Sequence, residues 1–295
     1  MKSKHIDPAI PRKSNIIDSS LSFYNSIPLP AVVEINESGK CNRTCFFCPK
    51  SDPNYPDVSE FIDSALIQKL TQELGEVSYS GIFIYSGFCE PLLDKNIFEL
   101  IQISKLNMPD AKIELVTNGD PLNHQRLRRL FDSGLTTLLI SCYDDESQVS
   151  FFNNMAKEAG IDQSKYVIRP RWLSEKESFG ITLNNRSGAL VNSEFVIEPL
   201  KEPLRQNCNY PSYSFFMDYN GDVLLCSHDW KKKYIAGNVY KESFLDIWKG
   251  KRMTNARKFL LNANRSISPC NVCDANGVIM GNNQAKIWSD LSNDS

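Results

Sequence analysis

A chain of 295 residues in which 33 lysines and arginines face 35 aspartates and glutamates has a formal net charge of −2, with both signs interspersed. No basic stripe is left to neutralise nucleic-acid phosphates, no apolar run is long enough to cross a bilayer, and the length suits one large domain or two moderate ones. Nine cysteines, an odd number without an apolar signal segment ahead of them, argue against a secreted disulfide framework and for metal binding in a reducing cytoplasm.

Residues 1–25, with Pro8 and Pro11, carry no periodicity and read as a loose arm or irregular edge segment. The apolar run 31–35 reads as a strand, and Cys41, Cys45 and Cys48 follow at once in the spacing C-x3-C-x2-C. Helical spacing over 59–74 stops at Gly75. Next come a strand over 82–85, a helix over 96–106, a strand over 112–116 and a helix over 122–131 ended by Gly134. A strand over 136–141, a helix over 146–159 and a strand over 166–168 complete the alternation. Such alternation builds a parallel sheet with right-handed crossovers, and ligands collect at the carboxyl ends of its strands. From about residue 190 the pattern changes: 213–218 and 222–226 flank Asn220-Gly221 as a hairpin, and 243–261 reads as a helix. Cys270-Asn271-Val272-Cys273 closes that unit, and the polar tail after Gly281 reads as peripheral. The expected division is an arm (1–25), an α/β partial barrel (26–190), a small cysteine-bearing domain (191–281) and a tail (282–295).

Three soft thiolates on one short loop can hold three corners of an iron–sulfur cube and leave one iron open to a small molecule. A zinc knuckle lacking one ligand and three buried structural cysteines are the competing readings of the loop alone. Cys208, Cys226, Cys270 and Cys273 form a separate quartet, enough to close a full shell around a structural zinc or a second cluster. Cys89 and Cys142 read as small buried residues, and His228 as a surface group or a neighbour of the quartet.

The cysteine spacing, Phe47 just before the last cysteine and the position after a first strand resemble the radical S-adenosylmethionine (AdoMet) superfamily. The resemblance implies a partial (β/α)6 barrel and a 4Fe–4S cluster on Cys41, Cys45 and Cys48 whose open iron chelates AdoMet. It implies reductive cleavage to a 5′-deoxyadenosyl radical, with an electron donor such as flavodoxin or ferredoxin. Phe47 then lies beside the cofactor. Glu90, in Ser86-Gly87-Phe88-Cys89-Glu90-Pro91, is similar in place to the glutamate of the superfamily's Gly-Gly-Glu-Pro loop, which meets the AdoMet ammonium. Phe88 and Cys89 stand where that pattern has glycines. Asn118, in Thr117-Asn118-Gly119, is implied near the nucleoside, Ser141 near the ribose and Arg169 near the AdoMet carboxylate.

The stretches Gly237-Asn238-Val239, 243–248 and Pro269 to Cys273 resemble the auxiliary-cluster region of radical AdoMet enzymes with SPASM or twitch domains. No further cysteine follows Cys273, so the shorter twitch form fits better, with one auxiliary 4Fe–4S cluster on the quartet. Similarity to twitch-type dehydrogenases of aminocyclitols implies a small-molecule alcohol as substrate and a two-electron oxidation. Arg186 is the candidate to contact the substrate oxygen, since a fixed guanidinium stabilises developing negative charge. Modification of a ribosomally made peptide is the principal alternative, against which stand only 40 residues ahead of Cys41. A non-catalytic zinc or cluster-binding module is the second.

Overall fold

The structure is a computed structural model that describes residues 10–172, 183–193 and 197–293. Helix α1 (Ile10–Ser19) and a small ribbon, β1 (Phe23–Tyr24) with β2 (Ile27–Pro28), lead into β3 (Val32–Asn36). There follow α2 (Ser64–Glu76), β4 (Ile82–Tyr85), α3 (Ile97–Asn107), β5 (Lys112–Thr117), α4 (His124–Asp132), β6 (Thr137–Cys142), α5 (Glu146–Glu158) and β7 (Tyr166–Pro170). The later part contributes α6 (Tyr210–Tyr213), β8 (Ser214–Asp218), β9 (Asp222–Leu224), β10 (Ile235–Asn238), α7 (Phe244–Trp248), α8 (Lys251–Leu261) and α9 (Asn282–Asn293).

One sheet takes eight of these strands in the order β10-β9-β8-β3-β4-β5-β6-β7. Neighbours from β8 to β7 are parallel, whereas β9 and β10 run antiparallel. Strand β8 comes from the hairpin of the cysteine-bearing region, yet it lies beside the first strand of the barrel, with Val32 opposite Ser214 and Asn36 opposite Asp218. Strand hydrogen bonding is thus continuous across the boundary expected near residue 190.

Alternate residues of a strand face opposite sides, and each side here has its own core. Val33, Ile35, Phe83, Ile113, Leu115 and Ile140 pack against the apolar stripes of α2, α3, α4 and α5. Val32, Ile82, Ile84 and Leu139 face the other way and gather with Ile17 of α1, Tyr213 and Met280.

Two segments depart from their sequence reading. Within the expected arm, whose first nine residues lie outside the described ones, Ile10–Ser19 is a helix whose Ile17 is fully buried, and Arg12 reaches inward to hydrogen-bond the buried Glu114 at 2.6 Å. The tail, read as polar and peripheral, forms helix α9 and packs inward: Gln284 donates to Ile17 O at 2.6 Å and Trp288 donates to Ser212 O at 3.2 Å. Each helix turns its apolar side inward, Ile17 into one core and Trp288 into the other, and each is held by the other and by the sheet. The expected helix over 243–261 is two helices, because a chain bend at Gly250 brings its Cα within reach of Asp246 O, where an added Cβ would stand at 2.5 Å. Helix α2 starts at Ser64 rather than 59, where Asp63 caps it by accepting from Ala65 N at 2.9 Å.

Candidate active site and metal centres

The loop carrying Cys41, Cys45 and Cys48 leaves the carboxyl end of β3 and is pinned from three directions. Cys48 N donates to Cys45 O at 2.9 Å, and Glu90 N donates to Lys40 O at 2.9 Å, which ties the loop to the one after β4. Arg43 pairs with Asp120 beyond β5 and with Asp144 beyond β6, at 2.6 and 2.7 Å. Asn42 donates to Asp120 and accepts from Asn118 Nδ2 at 2.7 Å. The second loop is shaped by Gly87, whose φ of +105° and 2.9 Å separation between an added Cβ and Asn36 leave no room for a side chain. Asn36 in turn accepts from Phe88 N at 2.6 Å.

The three thiols line a cavity of about 160 Å³ together with Phe47, Glu90, Asn118, Tyr143 and Arg186. Phe47 and Tyr143 lie ring to ring at 5.2 Å. Glu90 is buried, yet its carboxylate is fully engaged: it accepts from the Thr117 hydroxyl at 2.6 Å, Leu92 N at 3.1 Å and Asn118 N at 2.6 Å. Burial outweighs these hydrogen bonds and pushes its pKa up to about 7. The thiols are raised as well, Cys45 up to about 12, first by burial and then by Cys48 and Cys41 beside it. Thiols crowded and desolvated in this way ionise in exchange for a metal cation.

Arg186 adopts φ of +47°, and its N–H donates to Asn184 Oδ1 at 2.9 Å. Its Nε is buried without a hydrogen-bond partner among the described residues, and the guanidinium and the Cys48 thiol act on one another electrostatically. Ser141 and Arg169 face one another across β6 and β7, but the side chain from that edge that lines the cavity is Tyr143.

Cys208, Cys226, Cys270 and Cys273 are all buried, before α6, after β9 and at both ends of a 3-10 turn. Burial pushes the Cys226 thiol up, and Cys270, Cys208 and Cys273 add to it, so the four are electrostatic neighbours. An added Cβ on Gly277 would stand 2.5 Å from Cys208 Sγ. The buried Arg265 binds the carbonyls of Gln206, Asn207 and Ala275 at 2.8–2.9 Å, joining the chain before Cys208 to the chain after Cys273.

The sequence model of the Radical SAM superfamily matches residues 35–168, and that of the SPASM iron–sulfur cluster-binding domain matches 208–274. The chain thus carries a radical SAM domain followed by a SPASM domain. It is 28% identical over 245 residues to the S-adenosyl-L-methionine-dependent 2-deoxy-scyllo-inosamine dehydrogenase of Niallia circulans, covering 83% of this chain and 92% of the relative. The crystal structure of BtrN in complex with AdoMet and 2-DOIA superposes with a TM-score of 0.71 at 26% identity, covering 86% of this chain and 96% of that one. Native anSMEcpe with bound AdoMet shares the fold at a TM-score of 0.54 and 12% identity, over 89% and 97% of the two chains.

A radical SAM domain followed by this cluster-binding domain implies a 4Fe–4S cluster that binds AdoMet and an auxiliary iron–sulfur cluster. The donors fit both. A trio of thiols lines a cavity that also offers a carboxylate, an amide and a guanidinium for a zwitterionic nucleoside. The quartet is wholly protein and buried, as a fully ligated cluster requires. No described helix is long and apolar enough to cross a membrane.

Three residues of this radical SAM site carry no motif signal. Arg43 sits between ligand cysteines where spacing rules leave the residue open, Tyr143 lies beyond the predicted strand end, and Trp230 enters the cavity wall from the distant loop after Cys226. Phe88, the departure from the glycine pattern, packs on Trp230 at 4.3 Å and on Phe216 at 5.0 Å. It therefore links the AdoMet loop to the auxiliary-cluster region.

Proposed function

We propose that the protein oxidises a secondary alcohol of a cyclitol or sugar-like small molecule to a ketone by radical SAM chemistry. What supports this reading is the likeness to a SAM-dependent 2-deoxy-scyllo-inosamine dehydrogenase over 83% of this chain and 92% of the relative. When bound, the cofactors supply a 5′-deoxyadenosyl radical that removes a hydrogen atom from substrate, and an auxiliary cluster that accepts the remaining electron.

The chain's own residues bind, orient and exclude water. Cys41, Cys45 and Cys48 hold the AdoMet-binding cluster, and Cys208, Cys226, Cys270 and Cys273 hold the auxiliary one. Glu90 and Asn118 position AdoMet at the carboxyl ends of β4 and β5, while Phe47 and Tyr143 close one wall with apolar surface. Ser141 and Arg169 support that wall from the paired strands behind it. Arg186, which lines the cavity, steadies the substrate oxygen by charge as the hydroxyl proton passes to solvent. A flavodoxin- or ferredoxin-type protein supplies the first electron.

The test is anaerobic reconstitution followed by incubation with AdoMet, dithionite and 2-deoxy-scyllo-inosamine or other cyclitols deuterated at the carbinol carbon. Deuterium in 5′-deoxyadenosine together with one equivalent of ketone is the expected result. Deoxyadenosine without deuterium or ketone, for every cyclitol offered, rules the reading out.

A further inference from the structure

A second cavity, of about 650 Å³, lies beside the thiol cavity and contains none of the cysteines. The two share Lys50, Phe88 and Trp230 in their walls, so they meet at one partition. The larger is within the range of small-molecule sites, and its lining is one-sided in charge. Lys50, Lys231, Lys232 and Lys233 face a single acid, Asp52, whose Oδ1 is already taken by the N–H and amide of Asn54 at 2.9 and 3.0 Å. Lys232 is neutralised by the buried Asp218, and Asp229 is turned inward, accepting from Lys233 N and Tyr234 N. Lys231 and Lys233 are exposed; the buried Asp229 acts electrostatically on Lys233, whereas no described carboxylate pairs with Lys231. Aromatic surface adjoins them: Tyr55 and Trp230 meet edge to face at 5.9 Å, and Tyr55 donates to Trp230 O at 3.0 Å.

A cavity wall with four lysines and one lining acid, in which Lys50 lies over the Tyr55 ring at 5.6 Å, suits a sugar or polyol that ends in phosphate. We infer that this cavity binds a phosphate-ester group carried by the substrate, whose ring reaches the thiol cavity past Phe88 and Trp230. The inference rests on the small-molecule oxidation proposed above and names its substrate class as a phosphorylated or nucleotide-linked polyol. Lys231 and Lys233 hold the phosphate, and Trp230 flanks the ring.

The experiment is calorimetric titration of the reconstituted, unreduced holoenzyme with myo-inositol, myo-inositol 1-phosphate, uridine diphosphate and inorganic phosphate. A phosphate ester is expected to bind at least about tenfold tighter than myo-inositol, with the difference shrinking as salt is raised. Tighter binding of the monoester or of uridine diphosphate tells which form the site takes. In Lys231→Ala/Lys233→Ala, two exposed positions whose truncation leaves the core intact, that preference is expected to fall roughly tenfold. Lys231→Glu/Lys233→Glu is expected to abolish it. Equal affinity for myo-inositol and its phosphate, no binding of any phosphate ester, or variants that slow only turnover driven by a protein electron donor would each overturn the assignment. Binding is read without turnover, so a failure of alcohol oxidation leaves this result standing. Oxidation of an uncharged cyclitol with no phosphate preference sinks this inference alone.

Discussion

Arg43 meets Asp120 through two parallel hydrogen bonds, Nε and Nη2 each 2.6 Å from a different carboxylate oxygen. A fork of this kind fixes direction as well as distance. It locks the thiol loop to the end of β5, and the Asn42 amide doubles the lock on the same carboxylate at 2.8 Å. Lysine cannot reproduce the fork. Arg43→Lys is therefore expected to weaken AdoMet binding by roughly tenfold, the equivalent of about 1.4 kcal/mol. Asp120→Asn should cost more than Asp144→Asn, because the Asp144 side chain is 54% exposed and its pairing is screened by water. Dissociation constants of the reconstituted variants decide the order.

Removing one loop thiol separates the two metal centres. Cys45→Ala is expected to lower iron from about eight to about four per chain and to abolish 5′-deoxyadenosine formation. Cys226→Ala should show the converse loss of iron while AdoMet cleavage persists and ketone formation stops. Iron and sulfide counts with product analysis check both, and full turnover by Cys45→Ala would be incompatible with the proposed site.

Glu90 is surrounded by donors: Thr117 Oγ1, Leu92 N and Asn118 N all point at its carboxylate. An amide nitrogen in the place of one oxygen turns a donor toward a donor. Glu90→Gln is expected to lose about 1–3 kcal/mol of stability along with AdoMet affinity. Thr117→Val, which removes one of those donors and leaves the carboxylate, should keep more of the affinity. Thermal melts paired with AdoMet titration distinguish the two.

Glu37 is fully buried, accepts from the Cys89 thiol at 3.1 Å and has an Oε2 without a partner among the described residues. Burial raises its carboxyl well above the ordinary value of 4.5, more than the Cys89 hydrogen bond lowers it. The folded chain therefore keeps this proton longer than the unfolded chain does. Stability from this group is complete below the unfolded pKa and declines as pH climbs from there toward the folded one. Glu37→Gln replaces the neutral acid with a neutral amide, so its melting temperature relative to the unaltered chain should rise between about pH 5 and about pH 8. A constant difference over that window would count against a buried neutral Glu37.

Helix α9 carries Trp288, which with Trp248 encloses the buried Arg257 guanidinium at 3.9 and 4.0 Å. Trp288→Ala leaves both a void and an uncovered cation, and is expected to destabilise the fold by about 3–5 kcal/mol. Trimming the chain after Gly281 should cost at least as much, since Gln284 also holds Ile17 O of α1. Chemical denaturation measures each, and an unchanged midpoint would show α9 to be dispensable.

The alternation of strand and helix from β3 to β7 was legible because each element buries one face against a neighbour close in sequence, so its period is written in its own residues. Cys41, Cys45 and Cys48 were legible from their spacing on one short loop, whereas Glu90 and Asn118 were singled out by resemblance to the superfamily's loops; all five line one cavity. Helices α1 and α9 were not, since Ile17 and Gln284 acquire partners only across the length of the chain. Nor was the meeting of Phe88 with Trp230, whose closeness depends on β8 lying next to β3.

By itself the sequence determined where the thiols cluster and the kind of sheet, because cysteine spacing and hydrophobic period are local and survive any arrangement of the whole; the choice of a cluster over zinc came from resemblance to the radical AdoMet superfamily. Tertiary structure alone decided which side chains share a cavity: Arg186, Tyr143 and Trp230 converge on the thiols from separate parts of the chain. The physical reason is that sheet register, set by strand pairing summed over many residues, carries distant loops to one edge. No short stretch of residues contains that sum.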